Sequence, residues 1–145
     1  MDIVVLDTNV IVSAIYNPHG KYGEVVSMAL HEEIELRYSR EILEEYADVL
    51  ARPEHGLSVQ EQDLYLRSII EVGTLVSSIK SDVSIRDESD RKFYDIATTC
   101  KAILITGDKD LLSLNDKCVM SVGDYLSEWQ RLKKLEFQSR FRELP

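Results

Sequence analysis

The sequence predicts an α/β domain built on a mostly parallel sheet. Two short apolar runs, over 3–6 and 102–105, lack the alternation of a half-exposed strand, so each is typical of a strand covered on both faces. Segments with helical spacing of apolar residues separate these runs from other strand-like segments. Strands that alternate with helices along a chain favour a layered structure with a mostly parallel sheet.

The first half of the chain shows this alternation clearly. Pro18 ends the first helical pattern, because proline cannot continue a helix, and Gly73 suits the end of the last one. Ser58 and Glu61 form the capping-box pattern that starts that last helix. The elements expected here are strands over 3–6 and 35–38 and helices over 10–15, 22–30, 39–51 and 58–73.

The second half continues the pattern. A polar loop over 81–88 leads into a helix whose apolar face includes Phe93, Tyr94 and Ala97. The remaining expected elements are strands over 74–79, 102–105 and 118–120 and helices over 108–114 and 124–132. We expect one domain over 1–130, followed by a basic and apolar tail over 131–145.

Charge is distributed unevenly along the chain. The net charge is −9, and the tail holds five Lys or Arg against two Glu, a local +3 that leaves −12 on residues 1–130. This excess of acid argues against binding nucleic acid through the overall field, because phosphate contacts need Lys and Arg. Large apolar side chains in the tail, such as Phe137 and Phe141, favour a homodimer or a contact with a partner protein.

Cysteine spacing and hydropathy exclude several classes of protein. Cys100 and Cys118 form no CxxC pair, so neither a zinc site nor a disulfide framework is indicated. The apolar run at the amino terminus is too short for a signal sequence or a membrane span. We therefore expect a cytoplasmic protein with no membrane partner.

Four acids fall at one edge of the predicted sheet. Asp7 ends the first strand, and Asp108 follows the strand over 102–105 by three residues. Right-handed crossovers place the start of each helix at the edge where the preceding strand ends. Acids on the inner faces of those helices, near their starts, therefore share an edge with Asp7 and Asp108.

Helical phase then selects two further acids. At about 100° per residue, Asp90 falls inside the apolar stripe of its helix, whereas Asp95 is expected to face water. In the helix over 39–51, Glu45 borders the apolar face and Glu44 points away from it. Glu45 and Asp90 are therefore the inward candidates.

The proximity of four carboxylates indicates a divalent cation, because burying unpaired charges together is strongly unfavourable. Oxygen ligands suit Mg²⁺ or Mn²⁺ better than zinc, and a site partly open to water suits phosphodiester hydrolysis. The alternative is that Asp87, Asp90 and Asp108 only cap helices or complement their dipoles. Capping does not explain why Glu45 and Asp90 lie on or beside core faces.

Four segments carry a combined pattern that extends over most of the chain. They are VLDTN over 5–9, SREILEEY over 39–46, RDESD over 86–90 and LITGDKD over 104–110. In order and spacing they resemble the PIN domains, and especially the small ribonuclease toxins of prokaryotic toxin–antitoxin pairs.

The resemblance implies a three-layer α/β/α sandwich with a mostly parallel central sheet. It implies a metal-dependent endoribonuclease that hydrolyses RNA with Mg²⁺ or Mn²⁺, and a partner antitoxin that blocks the site. Carried over to this chain, the metal-binding acids are Asp7, Glu45, Asp90 and Asp108, with Asn9 and Thr106 in support and Asp87 and Asp110 as auxiliaries.

Three other classes of protein share part of this pattern. A haloacid-dehalogenase-like phosphatase needs a second Asp where Asn9 stands. A receiver domain carries an acid pair at its first strand and its phosphate acceptor on a later strand, the reverse of the arrangement here. A non-catalytic PIN-like module that binds RNA or protein fits the pattern too, because a complete set of acids shows only that catalysis is possible.

Overall fold

The computed structural model describes residues 1–145 and contains one five-stranded sheet in which neighbouring strands all run parallel. The strands are β1 Ile3–Leu6, β2 Glu35–Tyr38, β3 Thr74–Leu75, β4 Ile103–Ile105 and β5 Val119–Met120. Their order across the sheet is β3-β2-β1-β4-β5, which places β1 at the centre. The predicted α/β fold with a parallel sheet is confirmed.

Seven α-helices flank the sheet and complete a three-layer α/β/α sandwich. They are α1 Thr8–Tyr16, α2 Lys21–Leu30, α3 Arg40–Leu50, α4 Val59–Val72, α5 Arg91–Cys100, α6 Lys109–Leu112 and α7 Val122–Arg142. Two 3₁₀ turns, Pro53–His55 and Glu88–Asp90, precede α4 and α5. The predicted capping box forms, with Ser58 Oγ accepting from Glu61 N–H and the Glu61 carboxylate accepting from Ser58 N–H.

The central strands fix the edge at which the acids gather. Val5 is fully buried, as expected of a strand covered on both faces. Leu6 is aligned with Ile105 across β1 and β4. Because these two strands end level with each other, the next residues, Asp7 and Thr106, leave the sheet side by side at its carboxyl edge.

The third strand is shorter than predicted, Thr74–Leu75 instead of 74–79. Val76 N–H still donates to Tyr38 O at 2.8 Å, and the chain then leaves the sheet and crosses α5. There Ile79 N–H donates to Thr99 Oγ1 at 3.2 Å. β3 is an edge strand, so it loses only one ladder of hydrogen bonds when it ends early.

Asp95 is buried, with 4% of the residue exposed, so the prediction that it faces water is wrong. Ser81 N–H donates to Asp95 Oδ1 at 3.2 Å, and Arg91 holds the crossing segment by donating to Ser81 O at 2.8 Å. Helical phase identified the face of α5 opposite the core correctly. It could not show that a loop from earlier in the chain covers that face.

The last helix continues to Arg142 instead of ending at 132. No Gly or Pro interrupts residues 124–144, and ion pairs within the helix, such as Arg131–Glu128 at 2.6 Å, support it. We call residues 131–142 the α7 extension, and every residue in it is exposed. None of the helices combines the length and apolar character that a membrane crossing requires.

Candidate active site

Asp7 follows the last residue of β1 at the carboxyl edge of the sheet and is buried, with 4% of the residue exposed. Thr106, fully buried at the end of β4, donates from Oγ1 to Asp7 Oδ2 at 2.6 Å. Thr106 Oγ1 in turn accepts from Asp108 N–H at 2.9 Å. Burial raises the pKa of Asp7, and the Thr106 hydrogen bond opposes that rise only in part.

Glu45 approaches the same edge from α3. Its neighbour Tyr46 is fully buried and donates to Leu6 O at 2.5 Å, which fastens α3 to the end of β1. Both Glu45 oxygens are engaged: Oε2 accepts from Thr8 Oγ1, and Oε1 lies 2.9 Å from Lys92 Nζ.

Asp90 lies at the start of α5 and has the most perturbed carboxylate of the four. Its Oδ2 is buried and has no hydrogen-bond partner. Burial, together with repulsion from Asp108, Asp7, Asp87 and Glu45, raises the pKa of Asp90 to about 7. The structure therefore brings the other three predicted acids within electrostatic reach of Asp90.

Asp108 is the N-cap of the short helix α6. Its Oδ1 accepts from Asp110 N–H at 2.7 Å and from Leu111 N–H at 3.2 Å. The capping role that the sequence left open for Asp108 is thus real. It uses one carboxylate oxygen and leaves Oδ2 outside the cap.

The predicted supporting residues differ in what they contact. Thr106 joins Asp7 to the backbone of Asp108, as described above. Asn9 is exposed in the first turn of α1. Asp87 caps the 3₁₀ turn by accepting from Ser89 N–H at 3.0 Å and Ser89 Oγ at 2.7 Å, and these bonds lower its pKa. Asp110 lies 3.7 Å from the exposed Arg86 guanidinium.

The donor set can be tested for its fit to a metal ion. No group of three or more His, Cys, Asp or Glu side chains is placed to hold an ion as the side chains stand. Two observations nevertheless fit a hard divalent cation: the buried Asp90 oxygen lacks any partner, and the neighbouring donors are carboxylates without His or Cys. Binding would require Glu45 to turn away from Lys92 or to share its oxygen.

Next to Glu45 the surface opens into a cleft of about 620 Å³ whose ten lining residues are all polar or charged. The lining combines acids of α3 with the cations Lys80, Arg91 and Lys92. Of the four candidate acids only Glu45 borders this cleft, so the cleft adjoins the carboxylate cluster at one corner.

Sequence reasoning missed the two direct partners of Glu45. Thr8 directly follows Asp7 at the end of β1, and a polar residue at that position could have been predicted to contact the site. Lys92 lies 47 residues after Glu45 in the chain (92 − 45), and no sequence pattern linked the two. Only the packing of α5 against α3 brings them together.

The chain is similar to known proteins in sequence and in fold. The family model described as PIN domain matches residues 3–110. An uncharacterized protein of Methanocaldococcus jannaschii is 35% identical over 117 residues, which cover 79% of this chain and 76% of that protein. The crystal structure of VapBC2 from Rickettsia felis, bound to a DNA fragment from its promoter, has a similar chain at a TM-score of 0.55 and 17% identity, covering 82% of this chain and 98% of that one.

Proposed function

The chain belongs to the PIN-domain family, and from that premise we propose that it is a Mg²⁺- or Mn²⁺-dependent endoribonuclease, the toxin of a toxin–antitoxin pair. The observation that carries the proposal is the cluster of Asp7, Glu45, Asp90 and Asp108 with its unpartnered, buried Asp90 oxygen. Such a cluster is costly to the fold unless a cation is bound.

In this proposal the four acids hold the cation, and the rest of the chain positions them. Thr106 fixes the orientation of Asp7, Tyr46 holds α3 against β1, and the start of α6 fixes Asp108. The chemistry supplied by a divalent cation at such a site is activation of a water molecule and neutralisation of charge on the phosphate in the transition state.

The RNA backbone has to approach a protein with a charge of −12 on residues 1–130. We assign its path to the cleft beside Glu45, where Lys80, Arg91 and Lys92 can contact phosphates. Six acids line the same cleft, so in this proposal the bound divalent cation has to offset their repulsion of the RNA backbone. Lys109, exposed at the start of α6, is a further cation at the same edge of the sheet.

Cleavage of a panel of labelled RNAs tests the proposed activity. The parent should cut with Mg²⁺ or Mn²⁺, and excess EDTA or Asp7→Asn should abolish cleavage. Activity that persists in excess EDTA would refute the metal role. Binding of RNA without cleavage under any metal condition would instead identify a non-catalytic PIN-like module.

We also propose an antitoxin, a separate polypeptide that covers the carboxylate edge. The support is the family resemblance and the fold shared with a chain of the Rickettsia felis VapBC2 structure. If expression of this chain arrests growth, co-expression with the product of an adjacent gene should restore it. Arrest that no adjacent gene relieves would argue against a paired antitoxin.

The α7 extension is proposed to contact a second copy of this chain, with 1–130 as the domain and 131–145 as its docking tail. Leu135 and Phe137 are 50% and 69% exposed, and Phe137 and Phe141 stack with ring centroids 6.4 Å apart. The +3 of the tail is complementary to the −12 of another copy's domain, whereas two tails would repel each other. Removing residues 133–145 should halve the mass measured by light scattering, and an unchanged mass would contradict the proposal.

A further inference from the structure

Lys92 is the one cation that forms an ion pair with any of the four candidate acids. Its Nζ lies 2.9 Å from Glu45 Oε1 and donates to Ser89 O at 2.7 Å. The Lys92 and Glu45 side chains are only 19% and 27% exposed. This pair is therefore better shielded from water than most surface ion pairs, and its Coulomb attraction is correspondingly larger.

The position of Lys92 in its helix is unfavourable for helix stability. It is the second residue of α5, where the positive end of the helix dipole disfavours a cation. Its nearest compensation is the carboxylate cluster itself. The location of this lysine is thus explained by the acids and not by the helix that carries it.

We propose that Lys92 is a positioning residue that takes the place of a cation at Glu45 and must release Glu45 when a divalent cation binds. This inference rests on the proposed metal-dependent function. A lysine suits the role because its single ammonium is carried on a flexible four-carbon stem and can leave a carboxylate without breaking a bidentate fork. Lys92 also lines the cleft assigned to RNA, so its released ammonium faces the path of the phosphates.

The exchange of Lys92 for a divalent cation at Glu45 should affect how tightly the site binds that cation. A divalent cation that takes Glu45 has to displace the Lys92 ammonium, so the Lys92–Glu45 pair opposes cation binding. Removing the ammonium should tighten binding only where Glu45 is present to be released. A general effect of lost positive charge would not depend on Glu45.

Titration of the protein over residues 1–145 with Mn²⁺, with the free ion measured by electron paramagnetic resonance, tests this exchange. Lys92→Met should bind Mn²⁺ about tenfold more tightly than the parent, since one charged hydrogen bond no longer competes. Lys92→Arg keeps the positive charge and can form a bidentate pair with Glu45, so it should bind Mn²⁺ no more tightly than the parent. Lys80→Met removes the same charge from an exposed position of the same cleft and should change affinity less than about twofold.

The Glu45→Gln background separates the possible causes. There the substitution Lys92→Met should have no further effect on Mn²⁺ affinity. Equal tightening in Lys80→Met and Lys92→Met, or tightening that survives in Glu45→Gln, would overturn the exchange while leaving the metal site intact. If neither the parent nor any variant binds Mn²⁺, the proposed function fails and this inference fails with it.

Discussion

Two carboxylate environments in this molecule differ in whether the chain itself supplies their partners. Asp116 accepts from Tyr94 Oη at 2.5 Å and from Cys118 N–H at 3.0 Å, and these bonds lower its pKa. The same contact with Asp116 raises the pKa of Tyr94 to about 12. Asp90 has a buried oxygen with no partner, and its pKa is raised to about 7.

The difference separates a structural acid from an acid that awaits a ligand. Around Asp116, a hydroxyl and a backbone N–H stabilise the charged form. Around Asp90, burial and then other carboxylates destabilise the charged form, and the nearby Lys92 pairs with Glu45 instead. A fold that keeps mutually repelling carboxylates at one edge of its sheet loses some stability and gains a binding site.

The largest expected effect is on RNA cleavage. Asp7→Asn should reduce the cleavage rate by at least about 100-fold, because it removes a central ligand, whereas Asp116→Asn should retain activity within about threefold. Single-turnover cleavage with Mn²⁺ measures both. Equal losses in the two variants would mean that Asp7 acts through folding and not through the site.

A smaller loss, about 10- to 100-fold, is expected for Glu45→Gln. Glu44→Gln is the matched comparison, since Glu44 is the exposed neighbour on the same helix and lines the same cleft but is not one of the four candidate acids. It should keep its activity. Asp95 is buried and hydrogen-bonded and would not serve as a neutral control. Loss of activity in Glu44→Gln with Glu45→Gln active would show that the helix phase assigned to α3 is wrong.

In metal-free buffer at neutral pH, substitutions of Asp90 and Asp116 should change the free energy of unfolding in opposite directions. Asp90→Asn should raise the free energy of unfolding by about 1 to 2 kcal/mol, a range that allows for screening by water around a half-buried carboxylate. Asp116→Asn should lower it by about 1 kcal/mol, because two hydrogen bonds to a charged acceptor are weakened. Urea unfolding of both variants measures the difference. A destabilised Asp90→Asn would make Asp90 a structural residue.

The stability that Asp90→Asn gains over the parent should depend on pH, because the pKa of Asp90 is raised to about 7 from an ordinary 3.8. Between those values the folded state binds more protons at this site than the unfolded state, so stability falls as pH rises. The advantage of Asp90→Asn over the parent should therefore be absent near pH 4 and complete above pH 7. A difference that is constant with pH would contradict the link to ionisation of Asp90.

Sequence reasoning placed correctly those residues whose environment depends on their neighbours in the chain or on the apolar pattern of a strand or helix. Uninterrupted apolar runs identified β1 and β4, and with them the edge where Asp7 and Thr106 meet. The covered face of Asp95 and the Lys92–Glu45 pair depend on segments distant in sequence, so helical phase alone could not reveal them. The roles of the four acids toward a metal ion remain predictions.

Thermal melting with and without Mg²⁺ tests the central claim, that the carboxylate edge holds a divalent cation, most directly. A ligand of the folded state stabilises it by about 2.7 kcal/mol at a hundredfold excess over Kd. The melting temperatures of the parent and of Asp116→Asn should rise with Mg²⁺, and that of Asp7→Asn should not. A parent that gains nothing from Mg²⁺ or Mn²⁺, or an Asp7→Asn protein that gains as much as the parent, would contradict the claim.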